Sequence, residues 1–145
     1  MRGMRVCIDV PDLESGVDFY TRALGLTLAG RAGDAWVELG GGPCPLDLVA
    51  HRPGSAPLPG EARGRRDYER HWTPVHLDFV VEDVDAAVAR AVSAGATLER
   101  GVEAHPWGKL AVLGDPFGHG FCLVQLTGRG YEAVLTRAQE PGHMA

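Results

Sequence analysis

A chain that states the same strand-then-helix pattern twice within 145 residues has few ways to fold. Val6-Cys7-Ile8-Asp9-Val10-Pro11-Asp12 leads into a helical pattern that stops at Gly25, and His76-Leu77-Asp78-Phe79-Val80-Val81-Glu82-Asp83 leads into a second that stops at Gly95. The capping aspartates, Asp12 and Asp83, stand 71 positions apart. A chain of this length forms one compact domain, so residues 1–145 are expected to hold a duplicated module inside a single domain. Two copies of a module leave a cleft between them, and clefts are where small molecules bind.

The first copy, about 4–51, reads βαβββ. Residues 4–10 favour a strand, Pro11-Asp12 closes it and supplies an N-cap, and Val17, Tyr20, Ala23 and Leu24 recur at helical spacing before Gly25. Three β-prone stretches follow, 26–30, 35–39 and 46–50, separated by Gly33-Asp34 and Gly40-Gly41-Gly42-Pro43. A connection rich in proline and glycine occupies 52–72, a length that in compact domains suits a lid or a dimer contact. The second copy, about 73–126, repeats the order: strand 75–81, helix 84–94 and strands 97–102, 110–113 and 121–126. The tail, 127–145, carries a helix-forming stretch over Tyr131 to Gln139.

Composition narrows the class of partner. With 45% hydrophobic residues, 23% charged residues and a net charge of −5, the chain lacks the basic face of a nucleic-acid binder. No apolar run approaches the roughly 20 residues needed to span a bilayer, and the first residues lack a signal-peptide pattern, so a cytoplasmic protein without membrane partners is expected. Cys7, Cys44 and Cys122 are odd in number and widely spaced, which reads as three buried free thiols rather than a disulfide framework.

Asp12-Leu13-Glu14, Phe19-Tyr20, Leu24-Gly25-Leu26 and the closing Asp115-Pro116-Phe117-Gly118-His119-Gly120-Phe121 resemble the vicinal oxygen chelate superfamily. That superfamily holds glyoxalase I, bleomycin-resistance proteins, fosfomycin-resistance thiol transferases and extradiol dioxygenases. The resemblance covers about residues 4–126 and is closest to glyoxalase-like proteins. It implies an α+β fold in which two βαβββ modules form paired half-barrels around a cleft, built within one chain or across a homodimer. It also implies one inward side chain near the centre from the opening and the closing strand of each module. Counting from the capping aspartates and from Asp115-Pro116 puts those positions at Arg5, Asp47, His76 and Cys122.

His76, Asp47 and Cys122 offer imidazole, carboxylate and thiolate to one divalent metal, zinc, nickel, manganese or iron. Arg5 opposes a cation by its fixed charge, so the same positions equally describe a metal-free cleft in which Arg5 anchors an anionic or carbonyl-bearing ligand. Cys122 becomes a thiolate only where Arg5 or His76 lowers its pKa. His76 suits acid/base catalysis, and Asp78 on the same face suits a substrate contact. His105 and Trp107 are read as a loop at the cleft mouth, where the indole either stacks on a planar ligand or caps the core. His119 is read as a structural turn residue. Two functions remain open: a metal-dependent lyase, isomerase or dioxygenase, and a metal-free protein that sequesters a drug or metabolite.

Overall fold

The computed structural model describes residues 1–60 and 64–138. Module one contains β1 (Val6–Val10), α1 (Leu13–Leu24), β2 (Thr27–Ala32), β3 (Trp36–Gly40) and β4 (Leu46–Ala50). Module two contains β5 (Leu77–Val80), α2 (Val84–Ala94), β6 (Thr97–His105), β7 (Gly108–Gly114) and β8 (Gly120–Leu126). Each module forms a four-stranded mixed sheet, ordered β1-β4-β3-β2 and β5-β8-β7-β6. The opening strand pairs in parallel with the closing one, β1 with β4 and β5 with β8, and lies at the edge of its sheet. The fold is α+β and built from two similar modules.

Local chemistry sets the helix limits. Asp12 caps α1 by accepting from the Ser15 backbone N–H at 2.9 Å, and Asp83 caps α2 by accepting from Ala86 N–H at 3.1 Å. Gly25 ends α1 with φ of 69°, a left-handed conformation that costs glycine little. Strand alternation then separates two faces of each sheet. Val37, Leu39 and Leu48 point towards α1, whereas Glu38 and Asp47 occupy the other, open face. In module two Leu113 and Leu123 are buried towards the core. Val112 and Cys122, which pair in register, take the open face.

The halves share one core. Helices α1 and α2 pack together, and Phe19 of α1 meets Phe117 and Phe121 of module two edge-on at 6.2 and 6.3 Å. Truncating a buried phenylalanine of this kind costs about 3–5 kcal/mol. The connection also fastens the halves. Arg66 Nε donates to Asp9 Oδ2 at 2.8 Å, Tyr68 donates its hydroxyl to the His51 carbonyl at 2.6 Å, and Arg70 pairs with Glu99 of β6 at 2.6 Å.

Three expectations change. The tail has a 3-10 turn, Gly130–Ala133, and residues 135–138 form no helix; Gln139 lies outside the described residues. A short isolated stretch makes too few hydrogen bonds to offset helix nucleation. Strand β6 runs on to His105, so His105-Pro106-Trp107-Gly108 forms a tight hairpin rather than a loop. Cys7 is exposed and Cys44 half-buried, so Cys122 is the buried thiol of the three. Among the described residues no helix is long and apolar enough to cross a membrane.

Candidate functional site

A cavity of about 410 Å³ lies between the modules, where the edge strands β1 and β5 approach one another. Its apolar walls come from Val6 and Ile8 of β1, Leu77 and Phe79 of β5 and Phe121 of β8. Polar groups reach it from Asp9, Thr73, His76 and His119, and the ring of Tyr20 contributes from α1. An apolar hollow with a few convergent polar groups is the usual form of a small-molecule site.

On the open face of module one, Arg5 grips Asp47 through two parallel bonds, Nε to Oδ2 at 2.9 Å and Nη2 to Oδ1 at 2.8 Å, and also pairs with Glu38. Such bidentate, charge-assisted bonds hold both partners in place. The Arg5 guanidinium keeps the Asp47 carboxyl below the usual carboxylate range, with help from a hydrogen bond from Trp36. Two carboxylates surround one guanidinium, so the group is net negative. Its arginine is engaged, and the structure places Asp47 with Arg5 rather than with His76 and Cys122.

Module two is arranged differently at the equivalent positions. His76 precedes β5 and sets Nε2 3.1 Å from Asp78 Oδ1. Asp78 and Cys122 are register partners on β5 and β8. One ligand atom from each of His76, Asp78 and Cys122 lies within 4.8 Å of the others. A tetrahedral zinc ion asks for ligand atoms about 3.4–3.8 Å apart, against 3.1 Å for His76 Nε2 and Asp78 Oδ1 and up to 4.8 Å within the group. The group therefore contains Asp78, read from sequence as a substrate contact, and leaves out Asp47. Neither Arg5 nor His76 lowers the Cys122 pKa; burial, reinforced by the negative charge of Asp78, pushes the thiol up to about 11. At neutral pH that sulfur is a protonated thiol and a poor nucleophile.

His105 and Trp107 stand apart from the cavity. Their rings stack at 4.8 Å with planes 1° apart, and Trp107 also packs on Tyr131 at 5.1 Å. Gly108 pairs with Leu126, whereas the cavity reaches Gly120 and Phe121 at the other end of β8. The hairpin thus clamps the tail instead of forming a mouth.

Sequence reading gave Tyr20 and Asp115 no place in the site and His119 only a structural one, and the three form one hydrogen-bonded unit beside the cavity. Asp115 is 7% exposed and accepts from Phe117 N–H at 2.8 Å, His119 N–H at 2.9 Å and the Tyr20 hydroxyl at 2.5 Å. Burial, with Asp115 alongside, raises the Tyr20 hydroxyl well above its ordinary pKa, so it remains a donor. The turn so fixed aims His119 at β1, where Nε2 meets the Asp9 carbonyl at 2.7 Å. The Asp-Pro-Phe-Gly-His motif was the available signal, but its partner, Asp9, is 110 residues away.

The glyoxalase-like domain family matches residues 5–124. An uncharacterised protein of Mycobacterium tuberculosis is 33% identical over 128 residues, covering 80% of this chain and 69% of that protein. The anthracycline biosynthesis protein DnrV of Streptomyces peucetius is 43% identical over 64 residues, 44% of this chain and 22% of that protein. Among solved structures, a glyoxalase/bleomycin resistance protein/dioxygenase family enzyme from Burkholderia phytofirmans superposes with a TM-score of 0.66 at 22% identity, covering 85% of this chain and 97% of that one. At that identity the likeness speaks for the fold.

Proposed function

The chain belongs to the glyoxalase-like domain family, and on that footing we propose that it binds a mainly apolar small molecule in the cavity between its two modules. The observation that carries this reading is the cavity of about 410 Å³ between β1 and β5, with aliphatic and aromatic walls and a small set of polar groups. The partial match to a protein of anthracycline biosynthesis supports a ligand with a large ring system. The protein works as a homodimer, with the exposed faces of the two sheets as the natural surfaces for a second copy.

A second reading, metal-dependent lyase or isomerase chemistry, is favoured by the His76, Asp78 and Cys122 group. Imidazole, carboxylate and thiol together suit a borderline divalent ion such as zinc. A bound ion would polarise a ligand oxygen. His76, Asp78 and Cys122 would together hold the ion, and the His76 ring nitrogen not given to it would be the one able to carry a proton.

Metal content of the protein purified without chelator, together with metal titrations, separates the readings. The metal reading expects one equivalent of divalent ion, lost by tenfold or more in affinity in His76→Ala and kept within twofold in Asp47→Ala. A wild type that takes up no divalent ion ends that reading and leaves the binding protein. Equal losses in both variants would mean that the two modules build one centre together, across the dimer. The binding reading is checked by thermal shift against polycyclic compounds, whose midpoint should rise with ligand concentration.

A further inference from the structure

The hydroxyl donors on the cavity wall are already engaged within the protein. The Tyr20 hydroxyl donates to Asp115 at 2.5 Å, and the Thr73 hydroxyl donates to the Val75 carbonyl at 2.6 Å. His119 settles the same way: a carbonyl oxygen only accepts, so the 2.7 Å contact of Nε2 with the Asp9 carbonyl requires the proton on Nε2. In the neutral ring Nδ1 is then a lone pair, and among the described residues it takes no hydrogen bond. His76 turns its Nε2 to Asp78.

What the cavity offers a ligand is therefore acceptors. Among the lining residues, His119 can supply one through Nδ1, Thr73 through its hydroxyl oxygen and Asp9 through its carboxylate, which is 37% exposed and paired with Arg66. Among the described lining residues there is no lysine or arginine. An anionic ligand would find no free counter-charge, because Arg66 is already paired with Asp9, a costly arrangement away from water.

Resting on the reading that this cavity holds a small molecule, we infer that its ligand is an uncharged apolar ring system carrying a hydroxyl or amine donor, which His119 selects by accepting that donor at Nδ1. His119 is thus a specificity-determining residue, held by two hydrogen bonds and two ring contacts: Asp115 anchors its backbone, Asp9 anchors Nε2, and the edges of Tyr68 and His71 confine the ring at 6.5 and 5.7 Å. A rigid acceptor rejects donor-free analogues, because on binding them its nitrogen gives up water and gains nothing.

Three probes of one size test this at pH 7: 2-naphthol, 2-methoxynaphthalene and 2-naphthoate, with affinities read by isothermal calorimetry. Wild type should bind the naphthol about tenfold more tightly than the methyl ether, and the carboxylate more weakly than either. In His119→Gln the amide nitrogen reaches the Asp9 carbonyl while the acceptor at Nδ1 is lost, so the naphthol preference should fall to near unity with the ether's affinity kept within twofold. His119→Asn, which can present its side-chain oxygen near the place of Nδ1, should keep part of the preference. Equal binding of naphthol and ether by wild type, or a carboxylate that binds as well as the naphthol, overturns the inference while leaving the cavity as a binding site. Binding of none of the three overturns the cavity reading itself, and this inference with it.

Discussion

The centres of the two modules are built on one backbone plan and end in different arrangements, a closed ion-pair network in one and an open group of donor atoms in the other. In each, a register pair between the opening and closing strands consists of one cysteine and one aspartate: Cys7 opposite Asp47, and Asp78 opposite Cys122. The order is inverted, and the basic residue two positions before the opening member is Arg5 in one case and His76 in the other. Arginine carries a permanent charge and a planar fork, so module one closes into an ion-pair network with Asp47 and Glu38. Histidine leaves a ring nitrogen able to bind a metal or carry a proton, so module two stays an open group of donor atoms. A repeat preserves backbone geometry through caps and register; the chemistry at its centre changes with the three side chains that differ there.

The widest gap between the modules is expected in their closing turns. The module-two turn is held by Asp115, which satisfies Tyr20, Phe117 and His119. Replacing Asp115 with alanine leaves three donors short of an acceptor, one of them the hydroxyl of a 2% exposed tyrosine. The expected loss is about 3 kcal/mol or more in denaturant unfolding. In module one, a methyl added at Gly42 meets its nearest neighbour at 3.6 Å, an ordinary contact. Gly42→Ala should therefore stay within about 0.5 kcal/mol. Equal effects would show that the module-two turn is not the anchor described.

A smaller effect should appear on acidification. Because Arg5 depresses the Asp47 pKa, the ionised pair stabilises the fold at and above the ordinary carboxylate pKa. That contribution is lost as pH falls through the depressed value, where Asp47 takes up its proton. In Arg5→Met the depression disappears, so the variant should be less stable at pH 7 and should lose less of its stability between pH 4 and pH 2. Melting temperatures across that range check this. An unchanged slope would mean that the network is not the closed unit that sets module one apart.

The finest contrast concerns the two central thiols. Cys7 is exposed and Cys122 is 6% exposed with its pKa pushed up to about 11, so iodoacetamide at pH 8 should label Cys7 first, as read by peptide mass spectrometry. Added zinc should slow labelling of Cys122 further and leave Cys7 nearly unaffected. Equal protection of both would move the metal to a place shared by the modules.

Much of the fold was legible because its signals are local. Asp12 and Gly25, like Asp83 and Gly95, mark helix ends through bonds spanning a few residues. The glycine-rich turns marked most strand limits, and the family motifs identified the duplicated plan. The tail was misread because Tyr131 to Gln139 has helix-forming residues but no partner face to complete a helix. The site was only partly legible. Arg5, Asp47, His76 and Cys122 were expected together around one cleft, yet Arg5 finds Asp47 across 42 positions and leaves it outside the candidate metal-ligand group. Asp78 joins that group because register sets it opposite Cys122.

The sequence by itself determined that a βαβββ unit occurs twice and where its helices begin and end, since caps, turns and alternation act over a few bonds. Only the tertiary structure decided which of those residues meet. It set Asp47 against Arg5, gathered His76, Asp78 and Cys122, and bound the His119 ring to the Asp9 carbonyl 110 positions away. Hydrogen bonds and ion pairs depend on distances of a few tenths of an ångström between groups remote in the chain, and packing alone sets those distances.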